Sequence, residues 1–265
     1  MFLDALIALF FFLVGLEIKN GIKDFKTAIV PIVAALGGMI VPASIYLLLN
    51  PGSHVWAASM PTDIALALGV LSLLGKRVNP HVRLFLLTLA IADDLFSLIV
   101  LAIFYGDDLE PIKALTTLGA AAIGIIVPFS NHALHTIIKV LIPVSTYVIV
   151  PVIVIVNVPF DITISAFTSQ TTIAIIIARS VGKIIGITLF AWLVLRFGGH
   201  AKIGIKEITG IATLAGMGLT VALVIADIAA GSEVELDQVR LGLFVSAIIS
   251  GLAGYIWLRR THAQI

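Results

Sequence analysis

Residues 88–101 read TLAIADDLFSLIVL, and this stretch decides the fold. Asp93 and Asp94 sit side by side in an otherwise apolar run that extends from Leu84 to Phe104. Crossing a bilayer takes roughly 20 apolar residues, so the run is long enough to span one. A charged carboxylate at mid-membrane costs between about 3 and about 10 kcal/mol. Acids kept there at that cost mark ion or proton pathways by default. The plainer reading is that they end a helix or pair with buried bases. Adjacent residues lie about 100° apart around a helix, so both can reach one side of it without sharing one spot.

The rest of the chain fits a membrane. Of 265 residues, 60% are hydrophobic and only 12% are charged. A soluble domain of this size has no use for so much apolar surface, so the class is all-α, a polytopic membrane helical bundle. The formal net charge is +1, with no basic patch for nucleic acid. There is no cysteine, which excludes disulfides and thiolate metal sites. No cofactor is implied and no catalytic residues are assigned, so an enzyme is not expected. Met1 to Val14 is apolar but lacks a basic leading region, so it does not read as a cleavable signal. The first span begins almost at Met1, which reads as the loss of something upstream.

Apolar runs predict nine helices, over about 2–19, 29–49, 55–75, 83–105, 112–129, 134–157, 170–196, 203–230 and 238–260. Short loops join them into one transmembrane domain over 1–265. Alternate loops are basic: Lys19, Lys23 and Lys26; Lys76, Arg77 and Arg83; His132, His135 and Lys139; Arg196, Lys202 and Lys206; then Arg259 and Arg260. The opposite loops hold Asp107, Asp108, Glu110, Asp161, Glu233, Glu235 and Asp237, with Lys113 and Arg240 as their bases. The positive-inside rule puts the basic loops and the C-terminus in the cytoplasm.

Two spans carry helix breakers. In the third, Pro61 removes a backbone donor and disfavours helix at Met60, beside Thr62 and Asp63. A broken helix exposes partial charges at its half-helix ends, and Asp63 would compensate a positive one. Alternatively, Pro61 opens an ordinary helix that Asp63 caps. The eighth span has Gly216, Gly218 and Thr220, where two glycines loosen the helix and Thr220 supplies an oxygen. Small-residue packing between helices is the plainer account of that pattern. Paired interrupted helices in corresponding halves point to a transporter's binding site. The seventh span carries Arg179 and Lys183, four apart on one face. Lys183 needs a counter-ion, and the aspartates are the candidates. Arg179 either joins it or snorkels to an interface. Asp227 is expected near the outer surface. The histidines fall at loops or ends without metal-like spacing.

The segments FFLVGLEIK, ALGGMIVPA, PTDIALALGVL, LAIADDL, VGKIIGITLF and AGMGLTVALVIA, in this order, resemble those of the NhaA family of sodium/proton antiporters. The resemblance implies inverted three-helix repeats, here helices 2–4 (about 29–105) and 7–9 (about 170–260), with two interrupted helices crossing. It implies that Asp94 is a sodium ligand, and that Asp93 takes part in proton exchange and pairs with Lys183. Thr62 and Asp63 would lie at the crossing, and Glu17 in a cytoplasmic pH-responsive region. It also implies homodimeric assembly in the bacterial inner membrane. The chain departs from the family pattern in lacking a helix before its start and about forty residues between Tyr105 and Thr116, enough for two helices at about 20 each. Asn20 and Gly21 replace a basic-acidic continuation, about Leu115 replaces a histidine, and Arg179 stands where an apolar residue is expected.

The expected function is exchange of cytoplasmic Na+, or Li+, for external protons. Sodium is a hard cation that wants oxygen ligands, and Asp94, Asp93 and Thr62 offer them. A bound proton and a sodium ion compete for the same carboxylates, which titrate as a coupled group. If both acids release protons for one sodium, exchange moves net charge. Rocking of one bundle against another would expose the site alternately. The competing reading is a non-transporting family member with a structural or interaction role. A cation channel would need a continuous polar pore, and a symporter for an organic solute would need further binding groups. The loop charges make a direct prediction for this cysteine-free chain. Ser232→Cys should label from outside intact cells and Lys202→Cys only after permeabilisation; labelling of both from one side would overturn the nine-helix count.

Overall fold

The computed structural model of the protein describes residues 2–21, 25–75, 78–106, 115–128, 130–157 and 164–262. Over these residues the chain is helical without any strand. The helices are α1 (Phe2–Gly21), α2 (Phe25–Leu49), α3 (Ile64–Leu73), α4 (Pro80–Phe104), α5 (Ala120–Ile126) and α6 (Asn131–Val144). They continue as α7 (Val150–Val156), α8 (Ile164–Phe167), α9 (Gln170–Ile177), α10 (Lys183–Arg196), α11 (Ile205–Leu214), α12 (Thr220–Ala229) and α13 (Glu233–His262). A 3₁₀ segment, His54–Ser59, precedes α3, and π turns cover Leu115–Gly119, Ser145–Ile149 and Ala178–Gly182.

Each expected span is helical over its described residues, and the third and eighth are the interrupted ones. Among the described residues, six segments are long and apolar enough to cross a membrane, and Thr117–Ile126 and Thr220–Ala229 are shorter apolar helices. The chain is therefore a polytopic membrane bundle. The expected loop residues Lys23, Lys76, Arg77, Asp107, Asp108, Glu110, Lys113 and Asp161 lie outside the described residues, as do the side chains of Lys26, Leu115, His132, His135 and His262. Asp227 is exposed.

Large apolar side chains remain on the outside: Leu73, Ile103 and Ile126 are 74%, 70% and 75% exposed. In water such a belt would drive aggregation, whereas hydrocarbon solvates it. Inside, the apolar core is split into two large parts and a small third one of Leu13, Leu16, Leu134 and Ile138. One part gathers Phe11, Val55, Leu98, Leu101, Leu223 and Val239. The other gathers Val30, Leu71, Leu86, Ile187, Ile211 and Leu258. On α4, Leu86 and Leu89 belong to the second part and Leu98 and Leu101 to the first. Asp93 and Asp94 fall between them in sequence, so the acids lie in a thin polar layer with a packed core on either side.

That layer is framed by the packing of α2 along α10. The two backbones touch at Gly37 and Gly186, where a Cβ on either would run into the other's carbonyl oxygen. Close approach of this kind lets membrane helices gain dispersion contact where hydrophobic driving force is absent. Gly186→Ala should therefore lower the thermal midpoint in detergent by an amount equivalent to about 1–3 kcal/mol of overpacking. Gly69→Ala, on α3 with no atom within 4 Å of the added methyl, should leave the midpoint unchanged or raise it.

Candidate functional site

The third span breaks a little later than its sequence suggests. Met60 keeps a helical backbone despite Pro61 (φ −87°, ψ −49°), and the chain is extended at Asp63 (φ −101°, ψ 108°). Asp63 then caps α3, accepting a 3.2 Å hydrogen bond from the Leu66 amide. The eighth span breaks between Leu214 and Thr220. The two breaks lie against each other: the Asp63 amide donates to the Met217 carbonyl at 3.0 Å, and Thr62 Oγ1 to the Ala215 carbonyl at 3.1 Å. Gly218 is required by this contact, and Gly216 by packing against α13, more than either is by helix loosening. A Cβ at Gly218 would collide with the Pro61 carbonyl and the Arg179 guanidinium, and one at Gly216 with Ser250.

Four half-helix ends meet at this crossing, and their partial charges, about +0.5 at an N-terminus and −0.5 at a C-terminus, need partners. Asp63 serves both positive ends. Besides capping α3, its Oδ2 accepts from Thr220 Oγ1 at 2.8 Å and from the Thr220 amide at 3.4 Å, at the start of α12. Its capping role and its dipole role are thus one arrangement. Arg179 serves the carbonyl ends. One terminal nitrogen donates to Ala58 O at 2.8 Å; the other donates to Pro61 O and Gly218 O at 2.8 Å and to Gly216 O at 3.3 Å. Arg179 is wholly buried, so the snorkelling alternative is excluded: the carbonyls it bonds lie at the crossing, not at an interface.

Arg179 lies in the π turn Ala178–Gly182, and Lys183 begins α10 directly after it. A π turn widens the helix locally and is frequent at functional sites. Lys183 Nζ donates to Thr62 Oγ1 at 2.7 Å and to Asp93 Oδ2 at 3.2 Å, with both members of the ion pair 1% exposed. The expected Lys183–Asp93 pair is therefore present, and Thr62 links it to the second break.

Asp94 is placed differently. It is buried, its Oδ1 has no hydrogen-bond partner, and it lines a cavity of about 260 Å³. Thr62, Asp63 and Thr220 share that wall, and Glu17 and Ser72 lie along it near the ends of α1 and α3. Asp93 is not on the wall; it stands behind, held by Lys183. Ser145, Thr146 and Tyr147, from the π turn after α6, complete the lining. A second cavity of about 140 Å³ lies toward the opposite end, lined by Asp4, Asn157, Asp227 and Arg240 among others. Ile7 and Leu223 line the second cavity, Phe10 and Thr220 the first. On each helix the two residues are three apart, about 4.5 Å of rise.

Among the described residues, no three His, Asp or Glu side chains gather as a metal cluster. The arrangement suits a weakly held monovalent cation better: one free carboxylate, hydroxyls of Thr62 and Thr220, and backbone oxygens at the breaks. The sequence did not reveal the lining from the turn after α6 or the bonds of Arg179. The buried charge of Arg179, four residues before Lys183, was the only hint of the latter.

The chain is similar to known proteins over most of its length. The family described as Na+/H+ antiporter 1 matches the chain over residues 1–130 and 115–258. Proteins named Na(+)/H(+) antiporter NhaA are similar throughout. That of Salmonella arizonae is 33% identical over 324 residues, covering 97% of this chain and 82% of the relative. That of Shigella dysenteriae serotype 1 is 35% identical over 321 residues, with the same coverage. That of Escherichia coli O1:K1 is 34% identical over 328 residues, again covering 97% and 82%. These alignments are longer than the 265-residue chain, so the relatives carry internal residues that it lacks.

The buried pair yields a thermodynamic prediction. Removing one partner leaves the other uncompensated, which is strongly destabilising. Lys183→Ala and Asp93→Ala should each lower thermal stability in detergent. The double variant should lose less than their sum, by about 0.5–3 kcal/mol. Additive losses would mean that the two groups do not interact.

Proposed function

Because the chain belongs to the NhaA family of Na+/H+ antiporters, we propose that it exchanges cytoplasmic Na+ for external protons at the buried Asp93–Asp94 site. The observation that carries this reading is Asp94: a buried carboxylate with a bare oxygen, facing a cavity beside two broken helices. A proton or a sodium ion would neutralise it, and both cannot occupy it together. Hydroxyls of Thr62 and Thr220 and backbone carbonyls of the breaks would supply further sodium ligands. Asp93 acts from behind, its charge balanced by Lys183, and couples electrostatically to its neighbour. Li+, with the same charge and preference for oxygen, would compete for the site.

Alternating access would come from movement of inverted repeats, 29–105 and 170–260, about the crossing. Two features support it: each repeat contributes one broken helix, and the cavities approach the crossing from opposite ends. In the orientation set by the basic loops, with the C-terminus cytoplasmic, the larger cavity runs to the cytoplasmic side. Glu17, on its wall near the basic end of α1, is placed to make entry depend on cytoplasmic pH. The organism's inner membrane would be the site of action, and a homodimer the expected assembly.

Asp94→Asn keeps the shape of the side chain and removes its charge. In everted membrane vesicles it should abolish sodium-driven proton movement while the protein continues to be made and inserted. Wild-type exchange by that variant would overturn the assignment. Absence of exchange by the wild-type chain would favour the non-transporting reading instead.

A further inference from the structure

Both cavities lie on one seam. The first has Val14 of α1 and Tyr147 of the π turn after α6 on one side, and Leu68, Asp94 and Thr220 on the other. The second has Asp4 of α1 and Asn157, the residue capping the end of α7, on one side. Facing them are Leu223 and Asp227 of α12 and Arg240 of α13. One side of each cavity is thus built from α1 and the segment 115–157, and the other from the repeats 29–105 and 170–260. Arg240 bridges the seam in its outer half. Its Nη2 donates to Asn157 Oδ1 at 3.0 Å, across the seam. Its Nη1 donates to Asp237 Oδ1 at 3.3 Å, three residues earlier on the same helix. Asn157 is itself aimed: its Nδ2 donates to the Ile153 carbonyl at 2.8 Å, which turns Oδ1 toward the guanidinium.

We propose that the Arg240–Asn157 hydrogen bond is the outer gate of the exchanger, closed while the first cavity is open and broken when the site faces outside. The inference rests on the alternating-access reading above. If the repeats move as a body against α1 and 115–157, everything that crosses the seam must part on one side as it closes on the other. The contact is built to part at small cost. Arg240 carries its counter-ion Asp237 on its own helix, so its charge stays balanced in both positions. What breaks is a hydrogen bond to a neutral amide, whose net worth is modest, and not an ion pair that would leave a charge stranded. Arg240 Nε has no hydrogen-bond partner, so the guanidinium is held at two points only. Asp4 on one wall and Asp227 on the other give the opened passage acidic sides, which draw cations toward the site.

Two experiments on the full, cysteine-free chain test this. In the first, Asn157→Cys and Arg240→Cys are combined and joined in proteoliposomes by a short, reducible bis-methanethiosulfonate reagent. Joining them should abolish sodium-driven proton movement, and reduction should restore it. Full exchange by fully cross-linked protein would overturn the proposal. In the second, Asn157→Ala removes the acceptor and leaves the Arg240–Asp237 pair intact. Leu223→Cys, buried on the wall of the outer cavity, should then react severalfold faster with a membrane-impermeant maleimide added outside. Leu68→Cys, on the wall of the first cavity, should react more slowly from the cytoplasmic side of everted vesicles in the same background. A tie with no part in transport would leave both rates unchanged or, by loosening the bundle, raise both, and either result would overturn the gate. If the double cysteine variant is inactive before cross-linking, the labelling pair decides, because it needs no exchange. Wild-type vesicles without sodium-dependent proton flux would defeat the antiport reading itself, an outcome distinct from either result at the gate.

Discussion

The hydrogen-bonded crossing of two broken helices is the contact on which the rest of the structure depends. Membrane-buried backbone must satisfy its polar groups within the protein, and a helix broken at mid-depth leaves several unsatisfied. Here the breaks satisfy each other in part, through Asp63 N to Met217 O and Thr62 Oγ1 to Ala215 O. Asp63 and Arg179 complete the rest from opposite sides. Neither residue could be removed alone without stranding the ends it serves. Gly218 permits this contact, because a Cβ there would run into the Pro61 carbonyl and the Arg179 guanidinium.

A site made this way is held strongly but not made stable by its charges. Buried ion pairs gain little over apolar packing, since both partners lose their hydration. The stability of the bundle comes instead from the two apolar clusters on either side of the polar layer. The division has a functional logic. The packed clusters fix the positions of the helices, while the layer between them holds the buried charges.

Much of this was legible in the sequence because each charged residue violated the hydropathy around it. Asp93, Asp94, Asp63 and Lys183 each stood out in an apolar span, and a lysine that needs a counter-ion has few candidates there. Pro61 and the Gly216–Gly218 pair marked the two breaks, although Gly218 proved to serve close approach across the crossing and Gly216 packing against Ser250 of α13. Arg179 was visible as a charge but not as a clamp. Its partners are backbone carbonyls, which have no sequence signature, and they come from positions distant along the chain. The π turn that carries it has none either. The cavity lining from Ser145 to Tyr147 was hidden for a related reason: those residues are ordinary for an apolar helix, and only the packing of α6 and α7 against α1, and of the π turn between them against α3, brings them to the wall.

The thinness of the wall between the cavities has an electrical consequence. Where aqueous spaces penetrate from both faces, they conduct, and the voltage across the membrane falls almost entirely over the low-dielectric layer left between them. Here the residues that line the two cavities come within three positions of each other, about 4.5 Å of rise, along both α1 and α12. A unit charge carried through that layer would meet the full membrane voltage, about 2.3 kcal/mol per 100 mV, within the width of a single side chain. Such a focused field makes the bundle sensitive to the charge of whatever it moves.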